Sequence, residues 1–163
     1  MKNLPRRVVL VTRKTRVREL IERHNTLAQA RFHVEHMGAS FDDYVCEDER
    51  YTLALQHTMT ALNAWGRYQV VDRTLLPNFV FAESDIVVAL GQDGLVANTL
   101  KYLGAGQPLV GLNPDPARWD GVLLPYEPRQ LGDVLQRIDS ERAALKTVTM
   151  AEARLSDGQR MLA

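Results

Sequence analysis

The apolar residues of this chain fall into short runs and spaced stripes, and the two alternate. Val8-Val9-Leu10-Val11 and Ile86-Val87-Val88-Ala89-Leu90 are unbroken and rich in β-branched residues. Such runs predict short strands buried on both faces. Tyr68-Gln69-Val70-Val71-Asp72 and residues 108–112 read as two further strands. Between them the apolar period lengthens to three and four residues. From Thr15, an N-cap candidate, to about residue 37 the pattern predicts one helix, with Val17, Leu20, Ile21, Leu27 and Ala28 near one face and Gly38 as its C-cap. A second helix is predicted from Phe41 or Asp42 to Trp65. Its stripe is Tyr51, Leu55, Met59, Leu62 and Trp65, and Gly66 ends it. Residues 75–83 read as irregular, broken by Pro77 and Asn78. Helices are predicted over about 95–103 and from Pro128 or Arg129 to about Ser140. Strands alternating with helices argue for an α/β fold: a Rossmann-like, three-layer domain with a mostly parallel sheet.

The tail departs from that rhythm. Residues 146–155 read as a strand, Ser156-Asp157-Gly158 as a turn and Gln159 to Leu162 as a returning strand. The division expected is a nucleotide-binding α/β domain over 1–144, with a C-terminal β-hairpin at 145–163 beginning a further, β-rich domain.

Composition narrows the class. The chain has 163 residues, 45% hydrophobic and 25% charged, which suits one globular domain with a real core. Its formal net charge is zero, so no global field steers it to nucleic acid or an anionic membrane, and self-association is favoured. A homo-oligomer is therefore expected. No apolar run approaches the roughly 18 to 20 residues of a membrane span. The single cysteine, Cys46, leaves no internal disulfide and fits a reducing compartment, hence the cytoplasm.

The candidate chemistry begins where the 86–90 strand ends, at Gly91-Gln92-Asp93-Gly94. In open α/β sheets, ligands sit outside the carboxyl ends of the strands. Gly91 and Gly94 lack a Cβ and permit close approach, and the N–H groups opening the next helix favour an anion such as phosphate. Asp93 stands in that turn, placed to act as a base or to meet a metal held by phosphates. An ordinary strand-to-helix turn is the plain alternative. Arg13 and Lys14 follow the first strand and reach the same edge. They pair either with phosphates or join Arg6, Arg7, Arg16, Arg18 and Arg23 in a solvated basic face. The acidic stretch Asp42, Asp43, Glu47, Asp48, Glu49 offers the opposite charge, within one subunit or across two. His33 and His36 stand at i, i+3 without a third ligand at clear spacing, so no metal site is read from them; His24 and His57 are isolated. Cys46 lacks an activating partner. Trp119 is either a nucleotide contact or a loop anchor.

The Gly91-Gln92-Asp93-Gly94 turn resembles the GGDG turn of the NAD kinase (ATP-NAD kinase) family and of the wider group with diacylglycerol kinases and phosphofructokinases. The segment from Gln107 through Gly111-Leu112-Asn113-Pro114-Asp115-Pro116 to Asp120-Gly121-Val122-Leu123-Leu124-Pro125 is similar to the Gly-x-Asn turn and following glycine of that family, most of all its mitochondrial-type branch. The resemblance covers about residues 6–155 in element order. It implies Mg²⁺-dependent transfer of the γ-phosphoryl of ATP to the 2′-hydroxyl of the adenosine ribose of NAD, giving NADP. Asp93 would be the base, Gly91 and Gly94 would let the phosphates approach and Asn113 would line the same edge; with Gln92, and with Arg13 and Lys14 from their place after the first strand, these are the candidate nucleotide-binding residues. Gln92 stands where the family has glycine and puts a side chain beside the phosphates; Leu95 stands where many members have threonine. The family continues into a β-rich domain carrying an Asn-Glu or Asn-Asp motif that holds NAD. The sequence is thus expected to be the N-terminal half, inactive alone. Two other functions stay open: another GGDG-type kinase acting on a lipid or sugar, and a non-catalytic nucleotide-binding or assembly module.

Overall fold

The computed structural model describes residues 4–162. Four strands form one parallel sheet: β1 (Val8–Thr12), β2 (Tyr68–Asp72), β3 (Ile86–Leu90) and β4 (Leu109–Leu112), in the order β2-β1-β3-β4. In register, Val8 lies opposite Tyr68 on one side and Ile86 on the other, and Val88 opposite Val110. Every residue of β3 is buried, as its continuous apolar run requires.

Helices cover both faces. α3 (Asp42–Trp65) and α5 (Leu131–Asp139) pack on the face presenting Val8, Leu10, Val88 and Leu90, through Tyr51, Leu62, Leu131 and Leu135. α4 (Asp93–Leu100) and a 3₁₀ turn (Arg73–Asn78) cover the other face, where Val11, Val87 and Ala89 meet Leu76, Leu95 and Val96. The Rossmann-like three-layer α/β expectation is met. The Tyr51–Trp65 stripe is core: Tyr51 and Leu62 are buried, with Leu55, Met59 and Trp65 packed against the same cluster.

Several local readings change. The helix expected over 15–37 is two, α1 (Arg16–His24) and α2 (Leu27–His36). Asn25 between them takes a left-handed φ of 67°, which asparagine tolerates, and the Thr26 hydroxyl caps α2 by accepting the Gln29 N–H at 3.2 Å. The turn folds α2 back so that Val17, Ala30, Val34 and Phe41 form a satellite core. α4 starts at Asp93 rather than Leu95 and ends at Leu100, with Gln92, extended, at its N-cap position. The chain turns at residues 122–123, and Tyr126 then bridges to Leu112. The expected 146–155 strand shrinks to β5 (Glu152–Arg154), pairing antiparallel with β6 (Arg160–Leu162), both exposed. Gly158, at φ 90°, makes the hairpin turn. Among the described residues no helix is long and apolar enough to cross a membrane.

Candidate functional site: a cationic cleft at the strand ends

The strand order decides where a ligand fits. From β1 the chain crosses to β2 on one side; from β3 it crosses to β4 on the other. The connections leaving β1 and β3 therefore diverge, and a crevice opens at their carboxyl ends. It is a cleft of about 280 Å³. Arg13 and Lys14 enter from the end of β1, Arg16 from α1, Arg73 from the end of β2, Gln92 from the end of β3, and Arg118 and Trp119 from the loop after β4. Five lining side chains are cationic; Glu19 and Glu47 are the acidic ones. A chain with no net charge has thus gathered positive charge at the one edge where its topology makes a crevice.

The cations are held in place. Arg13 is buried: its backbone N–H donates to the Tyr51 hydroxyl at 3.1 Å, its Nη2 to Glu47 Oε1 at 3.0 Å and its Nη1 to the Lys14 carbonyl at 3.1 Å. Its guanidinium carbon lies 5.1 Å from the centre of the Tyr51 ring. Arg13 Nε is buried and without a partner among the described residues, a donor left over in the cleft wall. Tyr51 in turn donates to the Leu90 carbonyl at 3.2 Å, tying the end of β1 to the end of β3. Burial pushes the Tyr51 phenol up, so it stays a neutral donor, despite the opposing effect of Arg13.

Glu47 is the counter-charge. One oxygen takes Arg13, the other takes Arg16 Nε. Arg16 Nη2 also reaches Asp43 at 2.9 Å, and Arg118 donates to the same Asp43 oxygen at 2.8 Å. Those two guanidiniums, Arg118 first, bring the Asp43 carboxyl down to about 2. Asp48 accepts from Thr15 and from Arg18. Arg13, Arg16 and Arg118 are thus joined to Glu47 and Asp43 at the start of α3 within one chain, Arg18 pairs with Asp48, and Lys14 pairs with Glu22 on α1, these last two on the solvated surface. Arg6 and Arg7 belong elsewhere: they bind the Ser84 carbonyl and Asp85 near the amino end of β3.

Of the residues read as a site, Arg13, Lys14 and Gln92 meet on the cleft. Asp93, Gly91, Gly94 and Asn113 stand beside it, and all but Gly94 are engaged elsewhere. Asp93 accepts the Leu123 N–H at 2.7 Å and the Val122 N–H at 3.3 Å, clamping the 121–124 turn to the start of α4. Gly91 makes room for the chain itself: a Cβ there would come 2.9 Å from Leu95 Cδ2 and 3.5 Å from Arg13. At Gly94 a Cβ would meet nothing within 4 Å. Asn113 is buried and spends its amide on the loop, donating to the Trp119 carbonyl at 2.8 Å and accepting the Asp115 N–H at 3.0 Å.

Arg73 went unread in the sequence, although the residue following each parallel strand lies at this edge by construction of the fold. Glu47 was visible only as one member of an acidic run. The histidines divide: His33 packs against His24 with tilted rings 4.4 Å apart, and His36 stacks on Phe32 at 5.6 Å. His24 is therefore not isolated. Among the described residues no group of three or more His, Cys, Asp or Glu is arranged to hold a metal ion. A larger open hollow of about 570 Å³ lies between α1 and α2, around His24, Phe32 and His33, away from the strand ends. Cys46 is a free, exposed thiol. Comparison with models of known protein families and with curated proteins finds no match.

Proposed function

We propose that this chain binds nucleotides in the strand-end cleft and is a phosphotransferase of the NAD kinase type, passing the γ-phosphoryl of ATP to the 2′-hydroxyl of NAD. The observation that supports this reading is the concentration of Arg13, Lys14, Arg16, Arg73 and Arg118 around one crevice at the topological switch point. Guanidinium groups match phosphate oxygens in shape and charge, and such transfer depends mainly on positioning and charge neutralisation.

In the reaction the ribose hydroxyl oxygen bonds to the γ-phosphorus, the bond to the β,γ-bridging oxygen breaks, and ADP leaves. Asp93 takes the hydroxyl proton; its two backbone N–H bonds fix the carboxylate in place, and each oxygen retains a lone pair. The arginines hold the phosphates, and Gln92 at the start of α4 meets them beside the helix N–H groups. Asp93 would be the carboxylate that meets a Mg²⁺ carried by the substrate phosphates, and that ion would supply neutralisation of their charge. A cytoplasmic setting, where a thiol such as Cys46 stays reduced, goes with this reading.

A second reading has its own support. Asp93 already has a structural task, the clamp on Val122 and Leu123, which suits a module that binds nucleotide without turning it over. Two measurements separate the readings: ATP binding by calorimetry and NADP formation from NAD, ATP and Mg²⁺, each on the wild type and on Asp93→Asn. Product that disappears in a folded Asp93→Asn supports the kinase. Binding without product favours the module. Absence of ATP binding overturns both.

A further inference from the structure

The loop between β4 and the 121–124 turn is built with more care than a surface connection needs. Asn113 and Asp115 are buried polar residues in it, and burying such groups costs stability unless they are bonded. Both are. The Asn113 amide holds the Trp119 carbonyl; Asp115 accepts the Trp119 N–H at 3.0 Å through its own carbonyl, and its carboxylate takes Arg50 Nη1 at 2.6 and 2.8 Å. What these bonds fix is the backbone of Trp119. The residue is nevertheless 37% exposed and lines the cleft. A large aromatic side chain kept at the surface on an immobilised backbone is arranged to be covered by something other than the chain itself. Over the ring lies the Arg118 guanidinium carbon, 5.3 Å from its centre, so a cation and an aromatic surface are neighbours at the cleft.

We infer that Trp119 is the base-recognition residue of the cleft: it stacks the planar base of a nucleotide whose phosphates reach Arg118, Arg16 and Arg13. This rests on reading the cleft as a nucleotide site and adds which residue distinguishes a nucleotide from a bare phosphate. The recognition is by stacking, which every base offers, so Trp119 confers nucleotide over inorganic phosphate rather than one base over another.

The test uses ADP and inorganic pyrophosphate, titrated into the full chain and into Trp119→Ala and Trp119→Phe, with thermal unfolding of each as a folding control. The loop's own bonds run through the Trp119 backbone, so both variants keep it. Expected is ADP binding about ten-fold weaker in Trp119→Ala and nearly unchanged in Trp119→Phe, with pyrophosphate binding equal in all three. Fluorescence gives an independent signature. The chain has two tryptophans, and Trp65 donates its indole N–H to the Arg6 carbonyl at the opposite end of β1. ADP should change the emission of the wild type, pyrophosphate should not, and Trp119→Phe should not respond. Equal weakening of ADP and pyrophosphate in Trp119→Ala would reduce Trp119 to a loop-packing role. Unchanged ADP affinity would put the base elsewhere. Wild-type binding of pyrophosphate as tight as ADP would sink base recognition while leaving the anion site standing; binding of neither would remove the nucleotide reading itself.

Discussion

Replacing Glu47 by glutamine removes one negative charge from between two guanidiniums and changes almost nothing in shape. The Glu47 side chain is 6% exposed and that of Arg13 is 8% exposed, so the pair is screened little by water. Glutamine keeps one acceptor for Arg13 but turns an NH₂ toward Arg16. Removing one partner of a buried ion pair costs about 3–5 kcal/mol, chiefly because the other charge stays buried and uncompensated. Arg13 borders the cleft, where water can reach it, so the lower end applies: about 3 kcal/mol. For a domain of this size that lowers Tm by about 6–12 °C. Urea unfolding at constant slope measures it directly. The same vacancy of charge should draw in an anion. Pyrophosphate at ten times its Kd stabilises by about 1.4 kcal/mol through mass action. At a fixed concentration it should stabilise Glu47→Gln more than the wild type, since Arg13 and Arg16 there lack their counter-charge. A loss below about 1 kcal/mol would refute the buried-pair reasoning, and equal pyrophosphate stabilisation of both proteins would show that the anion does not meet these two arginines.

Two further outcomes concern the scaffold. Gly111→Ala would set a Cβ 2.0 Å from the Leu123 carbonyl oxygen, a backbone atom that cannot rotate away; we expect a loss of about 1–3 kcal/mol or more in urea unfolding, and unchanged stability would contradict the close contact between β4 and the turn. Asp85 is buried, which raises its pKa, but the Arg7 guanidinium at 2.6 and 2.8 Å and the Ala82 N–H outweigh that and hold it below the usual carboxylate range. A lowered folded-state pKa contributes stability above the unfolded value of about 3.9, lost as pH falls through the folded value. The stability gap between wild type and Asp85→Asn should therefore be full at pH 7 and shrink below about pH 4; a gap constant down to pH 2 would show that the carboxylate charge contributes nothing.

The sequence carries the elements because their causes are local. The β-branched runs of β1 and β3, the three-and-four spacing of α3 and the glycine that stops it each depend on the residue's own backbone preferences and its near neighbours. Alternation of those elements was enough for a parallel sheet with helices on both faces. Local reasoning failed where two local signals competed. Asn25 and Thr26 interrupt an otherwise helical stretch with a left-handed turn and a cap, and the apolar period on either side conceals the break. In the tail, Val148 and its neighbours have strand composition but no partner strand among the described residues, and pairing rather than composition makes a strand.

The site was legible as an edge, not as a constellation. That Arg13, Lys14 and Gln92 share a crevice follows from two strands ending side by side, which the fold class already implies. That Glu47 sits between Arg13 and Arg16, 34 and 31 residues away, depends on how α3 crosses the sheet. Nothing near Arg73 marks it, and it joins the cleft only because β2 lies next to β1. That Asp93 also clamps Val122 and Leu123 has the same origin. The amino-acid sequence by itself determined the α/β class, most of the elements and the end of the sheet at which polar residues gather. Tertiary structure alone decided which charges pair, which glycine is required by a neighbouring backbone and which aromatic is left facing the cleft, because those depend on distances between segments that no local pattern encodes.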